Sequence, residues 1–339
     1  MIKIKHLLAA AFALIAMPAH AAWQDSPEVK ALYEKAKGEG KVVVWGPQRN
    51  EVDWIPKAFN SMFPGIEVEW VGDNETMTRA IAEARAGRHQ VDVFWNSLTG
   101  LVNFVNRDLL APMDWAMFDS PKANTVLDGK AALGSSIVYT FAYNRDLAKK
   151  EDLPTNWSQL TDPKYKGKMV SSLFLLPRLM GGLSMAWGWD KAEAFARDVV
   201  AKQDIMLTRS PRDAILNSGE RIYGFGEIDF LMRIWEKSGL KIGYVVPEPY
   251  VVGQFASSLM AKAPHPNAAK LLAGYLVSPD GKKARGAATS AEDYTATGTS
   301  ELAKQINSGK AQVVADTVEN VERREKAIAQ MGPIIAGQK

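Results

Sequence analysis

No cysteine occurs anywhere in the 339 residues. That absence removes disulfide staples, thiolate nucleophiles and cysteine-ligated zinc together. Histidine is nearly as scarce, with four in the chain, and two of these, His6 and His20, sit in the first twenty positions. His89 lies beside Arg88 and Gln90 at a predicted helix end, and His265 sits between Pro264 and Pro266. A histidine-rich metal centre therefore has no donors. Catalytic signatures are also lacking: there is no G-x-S-x-G and no H-E-x-x-H, and no carboxylate spacing argues for a glycosidase. The expectation is a protein that is not an enzyme and carries no cofactor. An excess of one charge is missing too. Lys and Arg number 41 against 38 Asp and Glu, and Lys3 and Lys5 supply most of the difference. Nucleic acid is thus not an expected partner.

Long apolar runs are confined to the N-terminus. Lys3 and Lys5 precede an uncharged stretch from Leu7 to Met17, and Pro18-Ala19-His20-Ala21 ends in the small-x-small pattern of a cleavage site. This predicts a signal peptide over residues 1–21, Sec export, cleavage after Ala21 and a periplasmic protein. Nothing later approaches the roughly 20 uncharged residues of a membrane span. Without disulfides, the exported chain must be held by its core. Its length suits two domains better than one.

What is present alternates. Lys41–Trp45 (KVVVW) is a nearly continuous apolar run, as in a strand buried on both faces. A helical pattern follows through Val52, Ile55, Phe59 and Met62 and stops at Pro64-Gly65. Ile66–Val71 reads as strand, Asp73–Ala86 as helix and Val91–Trp95 as strand, with Asn96-Ser97 capping a helix to about Asn106. Ser136–Tyr143 is a longer strand that crosses out of this unit. A second set follows: strand Lys168–Ser172, helical Pro177–Lys202, helix Asp213–Ser218, strand Arg221–Phe225, helix Ile228–Lys237 and strand Leu240–Val246. Gln254–Lys262 returns as strand, and Asn267–Val277 and Ser300–Ala329 read as helical. Such alternation predicts α/β lobes with mostly parallel sheets. The crossings near 136–143 and 246–254 divide the chain into a first lobe of residues 22–139 and 253–339 and an inserted second lobe of residues 140–252.

Three segments carry a resemblance. Trp157-Ser158-Gln159-Leu160-Thr161-Asp162-Pro163-Lys164-Tyr165-Lys166-Gly167-Lys168 is a Trp followed by a D-P-x-[WY]-K-G-K turn. Ala263-Pro264-His265-Pro266-Asn267-Ala268-Ala269-Lys270 precedes Ser278-Pro279-Asp280-Gly281, and Tyr143-Asn144 follows the crossing strand. In this order the segments resemble the bacterial extracellular solute-binding proteins of ABC importers, in the branch of ferric-iron-, polyamine- and thiamine-binding members. The resemblance implies the two-lobed periplasmic-binding-protein fold, each lobe a mostly parallel sheet flanked by helices, joined by hinge crossings. It also implies a monomer that captures a small solute by closure and passes it to an inner-membrane ABC permease. A sensor subunit that presents the solute to a receptor would use the same fold.

Ligands of doubly wound lobes sit beyond the carboxyl ends of strands, near helix N-termini. For this chain that selects Trp45, Gln48 and Arg49 after the first strand, and Trp95, Asn96 and Ser97 after the third. In the second lobe it selects Ser172 and Arg178, then Arg209 and Arg212, then Glu227 and Asp229. The arginines suit carboxylate or phosphate, Trp45 and Trp95 could wall a flat ligand, and Glu227 and Asp229 could meet an amine. An anion held by arginines and a zwitterion held by both signs both fit. Ferric members of the branch carry a tyrosine pair where this chain has Gly226-Glu227-Ile228-Asp229-Phe230. Iron would then need an oxygen set drawn from Glu227, Asp229, Tyr223 and Tyr250.

Overall fold

A computed structural model describes residues 22–294 and 298–337. The leader expected over residues 1–21 lies outside the described residues. Helix α1 (Pro27–Glu39) opens the fold, its first turn capped by the Ser26 hydroxyl and its end turned by Gly40 in the left-handed conformation. Then β1 (Lys41–Gly46), α2 (Ile55–Met62), β2 (Glu67–Gly72), α3 (Thr76–Arg85), β3 (Val93–Ser97) and α4 (Leu98–Val105) alternate. Strand β1 lies parallel to both β2 and β3. Both its faces are covered, and Val42, Val43, Val44 and Trp45 are all buried. That is why the run shows no polar alternation.

Two short strands, β4 (Leu110–Ala111) and β5 (Thr125–Val126), lead to β6 (Ala131–Asn144), a strand of 14 residues. The inserted half comprises β7 (Met169–Ser172), α5 (Leu175–Trp187), α6 (Trp189–Lys202), β8 (Met206–Thr208), α7 (Asp213–Ser218), β9 (Tyr223–Ile228), α8 (Asp229–Lys237) and β10 (Ile242–Val245). Strand β11 (Tyr250–Met260) returns, followed by α9 (Pro266–Val277), α10 (Pro279–Thr289), α11 (Glu301–Asn307), β12 (Val313–Ala315) and α12 (Val321–Ile335).

The strands run in the order β2-β1-β3-β11-β6-β9-β7-β8. Residues Ala131–Val138 of β6 pair antiparallel with β11, while Tyr139–Tyr143 pair antiparallel with β9. One strand thus belongs to two sheets, and it supplies the first crossing. The second crossing runs through Pro249, whose carbonyl accepts the indole N–H of buried Trp157 at 3.0 Å. The Trp–Asp–Pro segment is therefore a brace between crossing and second lobe.

One expectation is corrected here. The helical stretch expected over Ser300–Ala329 is broken by β12, which pairs parallel to β11 through Tyr250↔Val313 and Val252↔Ala315. Helix α12 packs on α5 and α6 as well as on α4. Gly181 and Gly182 allow this approach. A Cβ on Gly181 would come within 2.6 Å of Ile328, and one on Gly182 within 3.1 Å of Arg324 and 2.3 Å of Val251 in β11.

Candidate functional site

In the first lobe β1 is flanked by β2 on one side and β3 on the other, so the chain winds in opposite directions from it. The crevice opens where their carboxyl ends diverge. The same reversal occurs in the second lobe, where β7 lies between β9 and β8. These two switch points face each other across a cavity of about 540 Å³, its open mouth included. Gln48, Glu51, Asn96, Ser97 and Thr99 line it from the first lobe, and Phe174, Leu175, Arg178 and Ile228 from the second. The crossing strands contribute Ile137, Tyr139, Gly253 and Phe255, and the C-terminal segment adds Asp316, Arg324 and Ile328.

On the first-lobe side, Ser97 caps α4 by accepting the Gly100 N–H at 3.2 Å, and it also accepts the Thr99 hydroxyl at 3.2 Å. Asn96 Oδ1 accepts the Ser97 N–H at 2.7 Å, which orients the amide; its Nδ2 makes no bond among the described residues. On the second-lobe side, Ser172 Oγ accepts the N–H groups of Phe174 and Leu175 and fixes the start of α5. Three residues on, Arg178 lays its guanidinium 3.6 Å above the Phe174 ring and donates from Nη1 to the Phe174 carbonyl at 2.7 Å.

The charges of the wall differ in how they are met. Glu51, 2% exposed, accepts from Arg285 Nη2 at 2.5 Å and from the Trp95 indole at 3.1 Å. Asp316 accepts from Arg324 Nη1 at 2.6 Å and from the Gln254 N–H at 3.0 Å. Burial raises the Asp316 carboxyl above the ordinary carboxylate range, against the opposing pull of Arg324. Burial likewise pushes Tyr139 up to about 12, so its hydroxyl stays protonated. Arg178 has no carboxylate within ion-pair distance among the described residues. Burial lowers its pKa, and Glu325, which acts on it from a distance, is held by Asn103 Nδ2 at 2.9 Å. A half-buried guanidinium without a matching carboxylate is costly, and an anion within its reach would offset that cost.

Of the residues expected from the sequence, Gln48, Asn96, Ser97 and Arg178 meet at the cavity. The others stand elsewhere. Arg49 points outward, its side chain 76% exposed, against Asp53 at 3.4 Å and over the Trp70 ring. Trp45 is core, with the Arg79 guanidinium on its ring. Trp95 lies one layer beneath the wall and holds Glu51. Ser172 is buried, its hydroxyl taken up by the N–H groups of Phe174 and Leu175 at the start of α5. Arg212 and Glu227 form a two-pronged pair, both contacts 2.7 Å, away from the cavity. Arg209 is exposed. Asp229 is spent internally on the Val138 N–H, Arg233 and the Tyr294 hydroxyl. Tyr250 packs against the cluster of Val138, Val252 and Ile306. Sequence reasoning missed Glu51, Tyr139, Asp316, Arg324 and Ile328. Only Glu51 had a signal, its place within the turn after β1.

The family model described as bacterial extracellular solute-binding protein matches residues 54–311. A comparison with curated proteins finds no match. Among solved structures, iron-bound HitA from Pseudomonas aeruginosa superposes with TM-score 0.72 at 16% identity, over 87% of this chain and 99% of that one. The apo ferric ion-binding protein A of Pasteurella haemolytica gives TM-score 0.71 at 15% identity, over 88% and 99%. The substrate-binding protein of an ABC transporter from Agrobacterium tumefaciens gives 0.71 at 16%, over 88% and 96%. At such identities the likeness establishes the fold.

Proposed function

The chain belongs to the bacterial extracellular solute-binding proteins, and from that premise we propose that it captures an anionic solute between its lobes for an ABC importer. The observation that carries this reading is the Arg178 guanidinium, the one charge on the cavity wall without a matching carboxylate among the described residues. Its planar fork meets the solute from the second lobe, while Asn96 Nδ2 and the start of α4 meet it from the first. Both faces engage only when the lobes are closed, so binding shifts the population toward the closed form. If the closed form were about one per cent populated when empty, a closed-state preference of roughly 10⁴-fold would make it dominant. An inner-membrane permease then receives the solute. No chemical step is involved, and the protein acts as a monomer after loss of residues 1–21.

The iron reading has a distinct structural requirement, an oxygen set. Glu227 and Asp229 are engaged by Arg212 and Arg233, and Tyr223 stacks on Phe141 in the core. With Tyr250 they form no cluster at the cavity. Among the described residues, Tyr139 is the only tyrosine of the lining, and it lies beside the Arg178 cation.

The test is Arg178→Gln. Among the described residues Arg178 engages only Phe174, through its carbonyl and its ring, so the variant should melt close to the wild type. Native mass spectrometry of the purified protein identifies any co-purified solute, and calorimetry measures its affinity. Truncating a buried charged partner costs about 2–5 kcal/mol, so binding should weaken at least about thirtyfold. Wild-type affinity in the variant would discard the proposal.

A further inference from the structure

Resting on the anion-capture reading above, we infer that the solute is a monocarboxylate with an apolar body and no amino group. The balance of charge on the wall decides the net charge of the cargo. Glu51 is matched by Arg285 and Asp316 by Arg324, which leaves Arg178 alone. A complementary solute therefore carries one negative charge. A second anionic group would enter a poorly solvated cleft with no cation to meet it. An ammonium would stand near Arg178 with every carboxylate of the lining already neutralised.

The geometry of Arg178 selects the headgroup. Its Nη1 is committed to the Phe174 carbonyl, which leaves the edge formed by Nε and Nη2. Two parallel N–H groups on one edge match the two oxygens of a carboxylate. A phosphate would bring a third acceptor oxygen and added charge, and the lining supplies no second free cation among the described residues.

The rest of the wall describes the body. Ile137, Leu175, Ile228, Phe255 and Ile328 come from five different elements and present hydrocarbon to the same space. The polar groups among them are neutral or ion-paired. Such a lining gains from burying carbon and gives little to a hydroxylated or charged chain.

Calorimetric titration of the purified wild type and Arg178→Gln with acetate, propanoate, butanoate, pentanoate and hexanoate tests this directly. Norvaline and glutarate serve as matched comparators for pentanoate, and inorganic phosphate as the third. Affinity should rise about fourfold per added methylene until the cavity is full. Norvaline, glutarate and phosphate should bind at least about tenfold more weakly than pentanoate. Binding of the whole series should be lost in Arg178→Gln. A flat chain-length series overturns the apolar body. Tighter binding of norvaline, glutarate or phosphate, still abolished by Arg178→Gln, overturns the monocarboxylate class and leaves anion capture standing. If no titrated anion responds to Arg178→Gln, both readings fall.

Discussion

Arg212 and Glu227 offer the sharpest separation between a residue that grips cargo and one that holds the fold. Arg212 Nε and Nη2 reach Glu227 Oε1 and Oε2, each at 2.7 Å, and Glu227 is 0% exposed. Burial by itself would lower the pKa of Arg212, but the hydrogen bond and charge of Glu227 outweigh it and raise the value. Replacing Arg212 by Ala leaves a carboxylate in the core of the second lobe with no partner. The expected cost is about 3–5 kcal/mol, a large share of the 5–15 kcal/mol that holds a typical domain. Urea unfolding followed by tryptophan fluorescence measures it. The double variant Arg212→Met with Glu227→Leu replaces the pair by hydrocarbon of similar volume and should recover most of the loss, since such swaps are often neutral. Ligand affinity in that double variant should stay near wild type. An Arg212→Ala protein that unfolds within about 1 kcal/mol of wild type, yet no longer binds solute, would place Arg212 among the ligand residues and refute the argument.

Arg49→Ala should change stability by no more than about 0.5 kcal/mol and leave solute affinity unaltered, because its exposed side chain makes only a 3.4 Å contact with Asp53; a calorimetric loss of binding would contradict this. Gly274→Ala would set a methyl 2.2 Å from the buried Phe118 ring, and the melting curve should report about 1–3 kcal/mol of destabilisation. An unchanged curve would show that Phe118 moves aside freely. Burial raises Asp316 above its ordinary 3.8, so the folded protein holds that proton more tightly than the unfolded chain. The contribution is full below 3.8 and is lost as pH rises through the folded value. The stability of wild type relative to Asp316→Asn should therefore fall from about pH 4 upward in a urea series, and a rising difference would reverse the assignment.

The backbone was legible wherever the pattern was local. KVVVW showed a strand covered on both faces, Ser97 marked the start of α4, and residues 213–218 form the short helix that their spacing predicts. The long crossing strand was visible over 136–143, although its first five residues, which complete the pairing with β11, were not. Failure came where a partner distant in sequence determined the outcome. Val313–Ala315 becomes a strand only because Tyr250–Val252 offers it an edge, and no three-residue run announces that by itself. Helix α10 went unread for a related reason. Its Gly281 must lie against the Tyr275 carbonyl, where any Cβ would fall at 1.9 Å, so packing against α9 outweighs the helix-weakening glycines 281 and 286.

For the site, strand topology located the crevice but could not rank its residues, because arginines 49, 178, 209 and 212 all follow strands and all carry the same charge. What separates them is whether a carboxylate lies within reach. Arg212 finds one 15 positions away, Arg285 finds Glu51 across 234, and Arg324 finds Asp316 across 8. In no pair do the partners share one helix or strand, so the periodicity of a single element carries no information about them. Arg178 is distinguished by what it lacks. A half-buried charge without a partner is costly to the fold, and a ligand of opposite charge offsets that cost. On the proposed reading, the site is marked less by its polar residues in general than by Arg178, a cation of the cavity wall with no carboxylate in reach among the described residues.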